Sequence, residues 1–301
     1  MTFEPKPDIY ARVTNKILAD LEQGVRPWVK PWNSDHAAAR IGRPLRHTGK
    51  PYQGVNILLL WGSAAENGFS SPFWMTFRQA LELGAHVRKG EKGSLVVYAN
   101  TITRTETNEE TGEESERDIP FMKGYTVFNA EQIEDLPPHY YAKPSRPEVP
   151  EAERNEGFER FFQNTGADIR QGGDKAFYSP VADYVKMPPF PAFKDSESYY
   201  ATLAHEMTHW TGHESRLDRD LVSRGYAKEE LVAELGAAFL CADLGITPEV
   251  REDHAAYIKH WLEVLKGDKR FIFRAAAHAQ HAVDHLQRYQ QAREEAGDQA
   301  A

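Results

Sequence analysis

The amino-acid sequence predicts an α+β fold in two domains, a small α/β unit followed by a mostly helical one. Three observations carry that expectation: an uneven charge distribution, a proline-rich polar stretch near the middle, and short strand-like runs before it but long helical periodicities after it. Residues 1–105 hold 14 Lys+Arg against 8 Asp+Glu, residues 106–118 hold 1 against 7, and the 301-residue chain carries a net charge of −9. A basic first third and an acidic second half suit two modules that meet different partners. The stretch from Leu136-Pro137-Pro138 through Pro144, Pro147 and Pro150 has the composition of a linker. The expected units are therefore residues 1–136, a linker at 137–150, and residues 151–301, each long enough for its own core.

The elements follow in chain order. Ile9, Val13, Ile17, Leu18 and Leu21 recur at helical spacing, and Gly24 ends that helix before Pro27. A short helix is expected over 54–66 and another from Thr76 to Leu83, stopped by Gly84. The strand Ser94–Ala99 follows a tight Lys89–Gly93 turn, with Tyr125–Phe128 as its partner. Thr105 to Asp118 is acidic and lacks an apolar face, so it reads as a solvated excursion between them. Beyond the linker, a helix around 151–165 leads to a hairpin of Lys175–Tyr178 and Asp183–Pro188, then to a helix opening with Ser196 as N-cap. Glu229 to Leu240 is a clear helix, and residues 250–296 read as two more.

Composition excludes several classes. With 41% hydrophobic residues and every apolar run broken by charge, no segment spans a membrane, and no basic-then-apolar leader opens the chain. A cytoplasmic location is expected. Cys241, the single cysteine, lies in an apolar helix and reads as a buried small hydrophobe.

The chemistry centres on His205-Glu206-Met207-Thr208-His209. On a helix, positions i and i+4 share a face, so both imidazoles reach one Zn²⁺ while Glu206 stands beside the metal-bound water as general base. Hydrolysis of a peptide bond is the reaction such a centre supports. Catalytic zinc takes a third protein ligand. His213 extends the run toward the metzincin pattern HExxHxxGxxH, but that pattern needs its third His where this chain has Ser215. The helix over 229–240 offers Glu230 and Glu234 on a stripe with Ala233 and Ala237, small residues that let two helices approach closely. An acid on that helix resembles the gluzincin arrangement, with Glu230 as ligand and Glu234 orienting a histidine. Glu234 as ligand, and Glu229 less so, stay open at this point. Tyr178 and His213 are candidates for an oxyanion stabiliser. His278, His281 and His285 share a helical face, but one helix supplies no further ligand, and a second metal site is not expected.

The basic third is also aromatic. Trp28, Trp32, Tyr52, Trp61, Phe73, Trp74, Phe77 and Tyr98 lie among Arg and Lys, the ingredients of single-strand binding, although core packing accounts for aromatics equally well. The loop from Arg40 to Tyr52, with Arg43, Arg46 and Lys50, has glycines, prolines and no apolar periodicity, as a phosphate-binding loop would. Arg88 and Lys89 join the candidate DNA contacts.

Several separate motifs occur in one order: Gly24-Val25-Arg26-Pro27-Trp28 with Pro31-Trp32, Tyr52 to Asn56, Gly84 to Glu91, Val127-Phe128-Asn129, Asp183 to Pro188, the run from His205 to His213 with Arg216-Leu217, and the 229–240 helix. The chain resembles ArdC-type antirestriction proteins over nearly its whole length. That resemblance implies a single-stranded-DNA-binding N-terminal domain, related to the N-terminal region of TraC-type plasmid primases, joined to a zincin-like metallopeptidase domain. It implies protection of incoming plasmid DNA from host restriction, with a host restriction or defence protein as a peptidase target. The competing expectation is a DNA-coating protein without proteolysis, whose zinc is structural.

Overall fold

The computed structural model describes residues 8–23, 28, 42–107, 114–141, 154–221, 226–246 and 255–298. Helix α1 (Ile9–Glu22) starts where the Asp8 carboxylate accepts the Ala11 N–H, and its stripe of Val13, Ile17, Leu18 and Leu21 is buried. After β1 (Leu45–Arg46) comes α2 (Val55–Asn67), apolar almost all round and buried accordingly, which ends at a left-handed Gly68. Strand β2 (Phe73–Met75) runs into Thr76, whose hydroxyl and the Gln79 side chain cap α3 (Phe77–Glu82) reciprocally.

Short β3 (His86–Val87) precedes two long strands, β4 (Ser94–Thr107) and β5 (Glu114–Asn129), and β6 (Ile133–Glu134) closes the unit. The long pair is antiparallel from Ser94↔Val127 to Thr107↔Glu114, much further than the expected 94–99 and 125–128. Threonine-rich residues 101–107 favour extended backbone, so the ladder continues into the acidic stretch; residues 108–113 lie outside those described. Strand order in this sheet is β1-β2-β5-β4, and β3 pairs with β6. The described start of the proline-rich stretch is a turn at Pro138–Tyr140 with Tyr140 buried, while residues 142–150 lie outside the described ones.

The second half begins with α4 (Glu156–Asn164), capped by Asn155. Strands β7 (Asp168–Gln171), β8 (Phe177–Ser179) and β9 (Tyr184–Met187) form a sheet of order β7-β9-β8. The expected hairpin is β8 and β9; β7 gave no sequence signal, since Ile169 is its one apolar residue. Four helices follow: α5 (Ser196–Trp210), α6 (Tyr226–Leu244), α7 (Ala255–Gly267) and α8 (Phe271–Asp298). The cap of α5 is Asp195 rather than Ser196, its carboxylate accepting from the Ser198 N–H at 2.7 Å and hydroxyl at 2.6 Å.

The architecture is two-domain, yet the largest apolar cluster runs through both halves. Ile17, Leu58 and Trp61 of the first share it with Phe239, Trp261 and Ile272 of the second. Trp28 meets Trp261, and Trp61 meets Phe239, edge to face at 5.9 Å. Cys241 is wholly buried in the same cluster, and burial pushes its thiol pKa up. Among the described residues, no helix is long and apolar enough to cross a membrane.

Candidate metal centre and nucleic-acid interface

Helices α5 and α6 pack so closely that a Cβ on Gly236 would come within 2.4 Å of the Thr208 methyl. Only glycine allows that approach, and it brings the acidic stripe of α6 onto the two imidazoles of α5. Glu230 Oε2 lies 3.6 Å from His205 Nε2, and its Oε1 lies 3.4 Å from His209 Nε2. The other ring nitrogens face different carboxylates: His205 Nδ1 is 3.3 Å from Glu234 Oε1, and His209 Nδ1 is 3.3 Å from Glu229 Oε1. Each ring is thereby held from behind, with its Nε2 turned toward the Glu230 carboxylate.

His205, His209 and Glu230 form a group whose ligand atoms all lie within 4.8 Å of one another. Two imidazoles and a carboxylate, with both imidazole tautomers set by carboxylates behind them, fit a divalent metal. Glu206 is 4% exposed, and its charge acts on both rings. Burial works against charging His205, but Glu230 and Glu234 outweigh it and raise its pKa to about 10; His209 rises too, against burial, through Glu229 and Glu230. Burial likewise works against charging Glu230, yet the two imidazoles hold its carboxyl well below the usual range.

Sequence reasoning missed Arg219. Its guanidinium donates to Glu229 Oε1 at 2.8 Å, to the Thr211 hydroxyl at 2.8 Å and to the Thr208 carbonyl at 2.5 Å, and thereby holds Glu229 against His209. No fixed spacing announces such a residue, because a loop brings it back. Glu229, open as a ligand in the sequence, occupies this supporting position. The Tyr178 hydroxyl donates to Asp183 at 2.8 Å and accepts from Arg216 at 3.2 Å, while His213 Nδ1 pairs with the Ser215 hydroxyl at 2.8 Å. Arg216 lies 3.9 Å over the Trp210 ring and donates to the Trp210 carbonyl, tying β8 and β9 to the end of α5. His285 packs against Trp210 and Tyr289.

The candidate DNA contacts divide sharply. Arg43 is buried: it pairs with Asp243 of α6 at 2.7 Å, donates to Gln280 of α8 at 2.8 Å and lies over Phe239, so it ties the halves together and cannot meet a phosphate. Tyr52 is 3% exposed beneath the Arg46 guanidinium, so its ring is closed to a base. Trp28, Trp61 and Trp74 are core residues for the same reason, the apolar rings being worth more buried. Arg46, Lys50, Arg88 and Lys89 are exposed, Arg88 paired with Glu91 at 2.8 Å. Arg40 and Trp32 lie outside the described residues.

Two family models match the chain. Residues 7–128 match the N-terminal domain of anti-restriction factor ArdC, and residues 156–278 match a zincin-like metallopeptidase. The fold is similar to the metal-free crystal structure of antirestriction ArdC protein from the R388 plasmid, at TM-score 0.82 and 48% identity over 94% of this chain and 98% of that one. The Mn(II)-bound structure of that protein matches at TM-score 0.79, 47% identity and the same coverage. Protein y4eC of Sinorhizobium fredii (strain NBRC 101917 / NGR234) is 45% identical over 92% of this chain and 91% of its own length. DNA primase TraC of Escherichia coli is 38% identical over 96% of this chain, which spans 28% of that primase.

Proposed function

This chain belongs to the ArdC antirestriction family, and from that premise we propose that it binds single-stranded DNA and hydrolyses peptide bonds at a zinc centre, shielding incoming DNA from host restriction. Residues 1–136 are assigned to DNA, 137–150 to the linker and 151–301 to the peptidase. The protein works in the cytoplasm, and the peptidase acts on a host restriction or defence protein. Exposed Arg46, Lys50, Arg88 and Lys89 track the phosphate backbone.

His205, His209 and Glu230 would hold the metal, which when bound supplies a carbonyl-polarising charge and a water of lowered pKa. Glu234 and Glu229 hold the Nδ1 sides of the two imidazoles, leaving both Nε2 lone pairs for coordination. Glu206 takes a proton from the attacking water and passes it to the departing amine. The observation that supports this reading is the orientation of the two rings, each backed by its own carboxylate and each turned to Glu230, with a buried Glu206 beside them. A purely structural zinc needs no such base and closes its fourth position with Cys or His.

The test is restriction protection during plasmid transfer, comparing the intact protein with Glu206→Gln at equal expression and verified metal content. Loss of protection in the variant is the expected result. Full protection by a metal-loaded Glu206→Gln protein would leave DNA coating as the protective activity and a structural metal.

A further inference from the structure

The paired strands β4 and β5 leave the four-stranded sheet as a two-stranded ribbon, because β2 pairs with β5 only at Trp74↔Asn129 and Met75↔Phe128. Side chains alternate along it, so Tyr98, Asn100 and Ile102 share one face with their partners Lys123, Phe121 and Ile119. On that face Tyr98 is 49%, Ile102 55% and Ile119 39% exposed. Lone exposed apolar residues are ordinary, but a contiguous row of them on a two-stranded ribbon marks a surface that meets something.

Charge says what. Lys123 projects over the Phe121 ring at 5.3 Å. The acids Glu116 and Asp118 fall on the opposite face by the same alternation. Toward the root the row continues at the Val96↔Tyr125 pair, where the Arg46 charge acts on Tyr125, and the Arg46 guanidinium lies 5.4 Å over Tyr52. An exposed cation of the basic loop thus stands at one end of an aromatic row that carries its own lysine. The Tyr98 and Phe121 rings sit 6.2 Å apart, and the Tyr98 hydroxyl is held by the Asn100 amide at 2.6 Å. Aromatic faces beside cations are what a single strand needs: bases stack and the phosphates follow the positive charge. A protein partner's apolar core would be depleted of such charge.

We propose that this face of the β4–β5 ribbon, with Tyr98 and Phe121 as stacking rings and Lys123 and Arg46 as phosphate contacts, is the platform for single-stranded nucleic acid. It rests on the single-strand-binding reading above and gives that reading a place, which the buried tryptophans and Tyr52 do not. The platform runs from Arg46 toward Ile102 and Ile119. From Tyr125 to Ile119 the strand covers about 20 Å.

The experiment is fluorescence anisotropy of a labelled oligo(dT) of about 20 nucleotides against the full-length protein at several salt concentrations. The double variant Tyr98→Ala/Phe121→Ala is expected to bind at least about tenfold more weakly. Tyr98→Phe, which keeps the ring, is expected to bind within about twofold of the wild type, as is Glu116→Gln on the opposite face. Lys123→Gln is expected to lower the slope of log affinity against log salt by about one. Wild-type binding with an unaffected double variant, its melting curve unchanged, would overturn the platform and leave single-strand binding standing. A wild-type protein that binds no oligonucleotide would remove both. A double variant that dissociates a wild-type dimer in sedimentation while keeping its DNA affinity would assign the face to self-association and overturn the proposal.

Discussion

Helix α6 carries buried charge near both ends, and the two clusters are built on opposite principles. Along its first half, Glu229, Glu230 and Glu234 face the two imidazoles of α5, where Glu206 is buried too, and Arg219 pairs with Glu229; four buried carboxylates stand against that one guanidinium. At its far end, Asp243 pairs with Arg43, whose guanidinium also donates to Gln280. The first cluster favours added positive charge, and its carboxylates accordingly raise the pKa of both His205 and His209. The second already holds a cation of its own against Asp243. Buried charge by itself therefore says little about function; an unbalanced excess of one sign, aimed at a common point, says a great deal.

The largest effect that would sharpen this contrast is at Glu230. Glu230→Ala removes a donor facing both rings, and metal analysis of the purified variant is expected to show little bound metal. Glu229→Ala removes support from behind His209 and is expected to weaken metal binding by about 10- to 100-fold. The reverse order would mean that Glu229 is the ligand.

Next in size is Arg43→Ala, which leaves the largely buried Asp243 without its cation. A loss of about 3 kcal/mol in denaturant unfolding is expected, with metal binding by the folded variant unchanged. Equal damage to metal binding would show that the two ends of α6 are one coupled unit, and the comparison would fall.

The smallest effect is in the pH dependence of the metal-free protein. A raised histidine pKa stabilises the fold fully below the unfolded value of 6.5, and that contribution is lost as pH climbs toward the folded value of about 10. The melting temperature of the chelator-treated protein should therefore fall across that window, whereas the metal-loaded protein should not share the decline, because the metal replaces the proton. A metal-free melting temperature that rose with pH would contradict the pairing of His205 with Glu230 and Glu234.

The two halves differ in how legible they were. His205, Glu206 and His209 could be read at sight because i and i+4 share a helical face whatever surrounds the helix. The downstream acidic helix was legible because its small residues announced close packing, which Gly236 against Thr208 makes concrete. The N-terminal half offered composition rather than spacing, and composition does not say which side of a ring faces water. Trp28, Trp61, Trp74 and Tyr52 went to the core, Arg43 went to Asp243, and the exposed rings turned out to be Phe77 on its short helix and Tyr98 on the ribbon. β7 escaped for want of alternation, and the Asp195 cap because Ser196 beside it is also a capping residue type.

What the sequence by itself determined were the local periodicities: most helices, the strand pair at 94–99 and 125–128, and the two histidines with their base on one face. Those depend on backbone geometry over a few residues. The tertiary structure alone decided which glutamate of three faces the histidines' Nε2 atoms, that Arg219 returns to hold Glu229, and that Arg43 is a tie between the halves. Each depends on how closely two distant segments approach and which side chain then loses its water, and burial of charge is settled by the partner across the gap rather than by neighbours along the chain.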